Sequence, residues 1–105
     1  MELTIRKEYE NLTLILYLEG ILDISTANII DPYLEEINDI KTLIIDFSKL
    51  EFIDSTGIGS IMNAIYLTKE KGFKLRLQGE DELTRQVLET VGLYEMLYAL
   101  QEEVE

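Results

Sequence analysis

Hydrophobic positions along this chain change their period several times, and each change marks an element. Leu3 and Ile5 alternate with polar neighbours, which predicts a first strand over about residues 2–9. Leu12, Leu14, Leu16 and Leu18 alternate cleanly and predict a second. Glu10-Asn11 between them suits a tight turn, so the pair reads as an antiparallel hairpin. Gly20-Ile21-Leu22-Asp23 then breaks the alternation. Ser25 offers an N-cap, and the stripe Ile29, Ile30, Tyr33, Leu34 and Ile37 keeps one helical face across Pro32. That predicts a helix kinked or restarted at Pro32. Asp31-Pro32 as a cap and first-turn pair is the alternative.

Leu43-Ile44-Ile45-Asp46-Phe47 is nearly continuous in apolar character. It predicts a parallel strand over residues 42–47, covered on both faces. Ile58, Ile61, Met62 and Ile65 return to helical spacing and predict a helix over residues 55–70, ended by Lys69, Lys71 and Gly72. Phe73, Leu75 and Leu77 alternate with Lys74 and Arg76, a fourth strand. A third helix is predicted from Asp81 to Val91, with Leu83, Val87, Leu88 and Val91 inward and Gly92 as its C-cap. Met96 to Leu100 reads as a short strand or a turn of helix. The order is ββαβαβα plus a tail. Strands joined through helices lie parallel with right-handed crossovers. The expected fold class is therefore α/β: a small mixed sheet of four to five strands, with helices packed mainly on one face.

Composition narrows the function. The 105 residues leave room for one domain with one core, expected to span 1–105. There is no Cys, hence no disulfide framework and no thiolate metal site. No signal-like segment or long apolar span is visible, so a cytoplasmic protein is expected. Twenty-one acidic residues against nine basic ones give a net charge of −12. Such a field repels phosphate backbones and anionic lipid, so neither direct nucleic-acid nor membrane binding is expected. It suits a partner with a basic surface, or solubility alone. The acidic tail, Gln101-Glu102-Glu103-Val104-Glu105, reads as a solvated end.

The candidate chemistry gathers at Phe52-Ile53-Asp54-Ser55-Thr56-Gly57-Ile58-Gly59. Ser55 falls where a strand becomes a helix. The chain has no His to complete a hydrolytic triad, and the G-x-S-x-G elbow is absent. Gly57-Ile58-Gly59 does not extend into a dinucleotide fingerprint, and there is no P-loop. What remains is a helix N-terminus with free N–H groups and a positive dipole end. A phosphate on Ser55 could lie there against bare backbone. Equally, Ser55 could be an ordinary N-cap, with the glycines serving close helix–strand packing. Asp23, Asp46 and Asp54 are expected near strand ends on the loop-bearing edge of the sheet, Asp46 alternatively as a strand-end residue that hydrogen-bonds the following turn. Three carboxylates can hold Mg²⁺, but no phosphate-binding group accompanies them, so no metal or cofactor is expected. Asp23 and Asp54 are expected to surround the serine with negative charge. As exposed loop residues, each is expected to change stability by only about 0.5 kcal/mol when neutralised.

These residues resemble a family. Gly20-Ile21-Leu22-Asp23 with Thr26-Ala27, a buried strand, and Asp54-Ser55-Thr56-Gly57-Ile58-Gly59 are similar to the STAS domain of bacterial anti-sigma factor antagonists. Gly79 and Val91-Gly92-Leu93 fit the same rhythm. The resemblance implies a non-enzymatic partner switch in transcription regulation. The unphosphorylated form would bind an anti-sigma factor that is itself a serine kinase, freeing the sigma factor. Phosphorylation would release it, and a phosphatase would reset it. Ser55 would be the phosphoacceptor, with Asp23, Asp54, Thr56, Gly57, Ile58 and Gly59 contacting the partner. Glu80-Asp81-Glu82, where the family often has proline, and Pro32 depart from the pattern and bear on which kinase is bound. A non-switching scaffold, a transport-complex subunit and a small-molecule-binding module are the competing readings.

Overall fold

The computed structural model describes residues 2–104. Its elements are β1 (Leu3–Glu10), β2 (Thr13–Leu22), α1 (Ala27–Glu35), β3 (Thr42–Ile53), α2 (Ser55–Lys71), β4 (Lys74–Gln78), α3 (Glu82–Thr90) and α4 (Leu93–Val104). The four strands form one sheet in the order β1-β2-β3-β4. β1 and β2 pair antiparallel around a turn in which Asn11 takes φ 58°; β2–β3 and β3–β4 are parallel. This is the expected mixed sheet.

Alternation decides which face is covered. Leu14, Leu16 and Leu18 of β2, Leu43, Ile45 and Phe47 of β3, and Leu75 of β4 point one way and are buried. They join Ile30 and Leu34 of α1, Ile61 and Ile65 of α2, Leu88 of α3 and Leu93 and Leu97 of α4 in one core. The intervening residues, among them Arg6, Tyr17, Ile44 and Arg76, stay exposed or half-buried on the opposite face, apart from Asp46, which is buried there. β3 is thus covered on one face, and the two-sided burial expected of it does not occur. Ile44 fits a half-open face because β-branched chains pack well on a pleated surface.

Several boundaries move. β2 runs through Gly20-Ile21-Leu22, because Gly20 adopts φ 109°, where a Cβ would lie 2.3 Å from the Glu2 carbonyl oxygen. β3 continues six residues past its expected end at 47. Its register against β2 jumps twice, between Tyr17 and Glu19 and between Gly20 and Ile21. At each jump β3 spends one residue more than β2, a bulge that bends the strand and resets which face is inward. Inward positions therefore step from Phe47 to Leu50 to Ile53.

Helix α1 passes through Pro32 without restarting, and its flanking residue is Thr26 rather than Ser25. Ile29, expected inward, is exposed; Ala27 takes its place against the core. In α3 only Leu88 is buried and Val87 partly so, while Leu83 and Val91 are 70% and 45% exposed. Val91 caps α3, and Gly92 follows at φ 78°. The stretch Met96–Leu100 belongs to a three-turn helix, which carries the acidic tail on to Val104. Glu105 lies outside the described residues.

Candidate functional site

The site is built where β2 and β3 end side by side. Leu22 pairs with Ile53, and the next residue on β3, Asp54, donates its N–H to the Leu22 carbonyl at 3.2 Å. Asp54 is extended (φ −109°, ψ −174°) and caps α2. Its Oδ1 accepts the Gly57 N–H at 2.9 Å, one of the donors a helix start leaves without an intrahelical partner. Its Oδ2 accepts the Ile24 N–H at 3.1 Å. One carboxylate thus closes the first turn of α2 and holds the β2–α1 loop against it.

Gly57 permits this docking. A Cβ there would lie 2.4 Å from the Leu22 carbonyl oxygen and 2.9 Å from side-chain atoms of Ile53 and Leu22. Gly59 is the reverse, with nothing within 4 Å of a Cβ. Ser55, Thr56 and Gly59 are exposed; Gly57 and Ile58 are turned inward. The six residues expected to contact a partner therefore divide. Thr56 and Gly59 lie on the surface beside Ser55, Asp23 and Asp54 are half-buried at its rim, and Gly57 and Ile58 support it from beneath.

Ser55 is not the cap. It is the first residue of α2, exposed, and Asp54 performs the capping. Asp54, expected to matter little for stability, is thereby a structural residue as well as a neighbour of the serine. An extended Asp before a helix can accept from the residue three positions on, as Asp54 does from Gly57, but an adjacent Ser offers the same capping chemistry in the sequence.

The β2–α1 loop is organised by Asp23 and Thr26. Asp23 Oδ1 accepts the Ser25 N–H at 2.9 Å and the Ser25 hydroxyl at 2.7 Å. The Ser25 hydroxyl bond, with further bonds from Ser25 and Thr26, holds the Asp23 carboxyl below its ordinary range against a smaller effect of burial. Thr26, buried, donates to the Ile21 carbonyl at 2.8 Å and accepts the Asp23 N–H at 2.9 Å. The Gly20-to-Ala27 motif is thus largely a loop-building motif. Through the Ile24 N–H it brings the Asp23 end of the loop against Asp54.

Asp46 does not join them. It lies inside β3, with Oδ1 accepting the Ser48 N–H and hydroxyl at 2.8 and 2.5 Å and Oδ2 accepting from the Gln78 amide at 2.8 Å. Burial pushes its carboxyl up; the bonds from Ser48 and Gln78 outweigh that and leave it below the ordinary range. Among the described residues, no group of three acidic residues is placed to share a metal ion.

Two large apolar residues of the segments that meet at this turn are exposed. Ile24 is 77% exposed and Phe52 is 55% exposed. Phe52 pairs with Ile21 across the second bulge and faces away from the core. The i, i+3, i+6 spacing of Phe47, Leu50 and Ile53 marks the broken alternation that leaves Phe52 outside. Exposed apolar side chains beside an exposed hydroxyl and a bare Gly59 make a surface suited to a protein partner more than to a small ligand.

No helix among the described residues is long and apolar enough to cross a membrane. Comparison with known proteins agrees with the geometry. An anti-sigma F factor antagonist of Paenibacillus polymyxa is 25% identical over 107 residues, covering 99% of this chain and 92% of that protein. The crystal structure of a putative anti-sigma factor antagonist from Thermotoga maritima superposes with a TM-score of 0.78 at 21% identity, covering 95% of this chain and 93% of that one. The Bacillus cell fate determinant SpoIIAA in its phosphorylated form gives a TM-score of 0.72 at 22% identity, covering 89% and 87%. The STAS domain model matches residues 4–105, nearly the whole sequence, and the chain belongs to the STAS domain family.

Proposed function

We propose that this chain is an anti-sigma factor antagonist controlled by phosphorylation at Ser55. The observation that carries the reading is the exposed Ser55 hydroxyl at the first residue of α2, a turn that Asp54 already caps. The hydroxyl is therefore available without cost to the helix. The names of the relatives support the same role: one is an antagonist of anti-sigma F factor, and another adopts this fold in a phosphorylated form.

In this reading the partner is an anti-sigma factor with serine-kinase activity. The Ser55 oxygen attacks the γ-phosphorus of ATP held by the kinase, the bond from that phosphorus to the bridging oxygen breaks, and ADP leaves. In this reading the hydroxyl proton passes to a base on the kinase, while Asp54 holds the turn through its bonds to the Ile24 and Gly57 N–H groups. A phosphatase returns the serine by hydrolysis. The product carries about −1.5 to −2 charge at neutral pH, beside Asp54 and on a chain of net charge −12. A kinase surface fitted to a neutral serine would then have to desolvate a dianion. Each ~1.4 kcal/mol so lost lowers affinity tenfold, so a switch needs no change of fold. Placement in the cytoplasm, with the kinase and sigma factor, belongs to the same proposal.

The test is incubation with the kinase that co-purifies from the native cells, Mg²⁺ and ATP, followed by intact mass measurement and phosphopeptide mapping. The expected result is a gain of one phosphate, on Ser55. Thr26 and Ser60 are buried, leaving Thr56 and, in the adjoining loop, Ser25 as exposed neighbouring competitors. Modification of Thr56 with Ser55 untouched would overturn the assignment.

A further inference from the structure

The far edge of the sheet carries a feature unrelated to Ser55. Among the described residues β4 is an edge strand, paired with β3 alone. Lys74 donates its N–H towards the β3 side, to the Lys41 carbonyl at 2.9 Å. Backbone direction alternates along a strand, so the N–H and C=O groups of Leu75 and Leu77 point outward. The Leu75 N–H meets a side chain, not a strand: Gln101 Oε1 of α4 accepts it at 2.6 Å. A glutamine amide carbonyl has the geometry of a peptide carbonyl. Gln101 therefore occupies the place a neighbouring strand's carbonyl would take.

A groove of about 590 Å³ runs along this edge, with Leu75, Arg76 and Leu77 on one side and α3 and α4 on the other. Its helical wall combines Tyr94 and Tyr98 with the charged side chains of Arg85, Glu89 and Glu95. Tyr94 is fixed by donating its hydroxyl to Glu80 at 2.7 Å; Tyr98 is 64% exposed.

We propose that this edge is a docking groove for an extended segment of a partner protein, which adds as a fifth strand beside β4 and displaces Gln101. The backbone sets the kind of occupant, since only an extended chain offers carbonyls and N–H groups at the spacing Leu75 and Leu77 present. Alternate side chains of that segment would face Tyr94 and Tyr98 and would be apolar, since Glu89 and Glu95 on the same wall would repel an acidic one. The others would lie beside Arg76 on the open face and would be acidic, because cross-strand pairs of opposite charge stabilise a sheet. A second copy of this chain fits less well: antiparallel pairing of two β4 strands centred on Arg76 would oppose the two arginines.

The experiment uses the intact protein, ¹⁵N-labelled, and a capped seven-residue peptide alternating valine with glutamate. The control is the same peptide N-methylated at every second amide, on the hydrogen-bonding edge. Expected are shifts of the Leu75 and Leu77 amides and the Gln101 side-chain amide with the first peptide and none with the second. Gln101→Ala removes the competing acceptor and should tighten binding about fivefold, the equivalent of ~1 kcal/mol for one hydrogen bond. Absence of shifts at millimolar peptide in both the native protein and the Gln101→Ala variant would overturn the proposal, as would equal binding of the N-methylated control. Phosphorylation of Ser55 has no part in either outcome.

Discussion

Helices α2 and α3 both begin beneath an aspartate. Asp54 Oδ1 accepts the N–H of Gly57 at 2.9 Å, and Asp81 Oδ1 accepts that of Thr84 at 2.7 Å. Both caps are extended and both helices rise from the same end of the parallel strands. The first helical residue is Ser55 in one and Glu82 in the other. In α3 an acidic side chain already complements the positive end of the helix; in α2 that complement is missing from the first turn. The second difference is what the cap's other oxygen does. Asp54 Oδ2 reaches Ile24, thirty residues earlier in the chain, whereas the recorded bond of Asp81 is local to its own turn. A capping aspartate is common to many helices. What makes the α2 turn a candidate switch is a vacant, exposed hydroxyl on a rigidly tethered first turn.

The largest effect is expected from the residue that lets α2 dock. Gly57→Ala places a methyl group against a backbone oxygen that cannot swing away, and should destabilise by about 3 kcal/mol, the upper end of overpacking costs. Gly59→Ala fills open space within a helix and should stabilise by about 1 kcal/mol. Urea unfolding monitored by circular dichroism reads both. Equal effects from the two substitutions would mean that the tight approach of α2 to Leu22 is misplaced.

The caps come next. Asp81→Ala should cost ~1 kcal/mol, an ordinary loss of a cap. Asp54→Ala should cost ~2 kcal/mol, because the Ile24 N–H loses its acceptor at the same time. Hydrogen exchange separates the two contributions: the Ile24 amide should lose protection in Asp54→Ala and keep it in Asp81→Ala. If the two variants unfold at the same urea concentration, the tether to the β2–α1 loop adds nothing.

Much of this architecture was legible in the chain. The hairpin, the two crossovers in outline and the α2 stripe follow from period-2 and period-3.6 runs that the core honours. The strand-to-helix turn at Asp54-Ser55 was legible too, because it sits between two such runs. The misreadings have local causes. Bulges reset the inward face of β3 after Phe47, so its last six residues lost the alternation that identifies a strand. In α3, Leu83 and Val91 carry the right spacing but sit at the helix ends, beyond the reach of the core that Leu88 enters. Pro32 was read as an interruption; α1 is held on both sides of it by Ile30 and Leu34, and tertiary packing overrides the one lost N–H. Within the site, both Ser and Asp are favoured caps, and nothing in the sequence alone gave the position to Asp54 over Ser55.

Acid should distinguish the regions less strongly. The Asp81 carboxyl is held below its ordinary value by the Thr84 N–H, and that of Asp23 by the Ser25 hydroxyl. A folded-state pKa below the unfolded one means that the unfolded chain binds more protons as pH falls. These groups therefore contribute their full stabilisation above the unfolded value near 3.8 and lose it as pH drops through their lower folded values. Stability from urea titrations should be flat with respect to these groups between pH 5 and 7, as estimated from ordinary carboxylate values, and should fall below about pH 4. Asp81→Asn should make that fall shallower. An unchanged acid slope would show that the Thr84 bond does not discriminate between the two protonation states.

The smallest and most specific prediction exchanges the first helical residues. Ser55→Glu gives α2 the negative charge that α3 already has, and should stabilise by about 0.3–1 kcal/mol at low salt. Glu82→Ser should destabilise by a similar amount. Ser55→Ala should be nearly neutral, because the hydroxyl is not the cap and Asp54 remains in place. Raising the ionic strength should shrink both charge effects, since exposed charges are screened over about 8–10 Å at ordinary salt. The stability change and the binding change are then expected to have opposite signs in Ser55→Glu: a better helix start, and weaker binding to the kinase. Ser55→Ala should bind the kinase undiminished and resist release by ATP. A Ser55→Glu variant that is less stable than the native protein would place the α2 dipole end out of reach of this residue. One that is more stable and still binds the kinase at native affinity would leave the helix reading intact and end the electrostatic account of the switch.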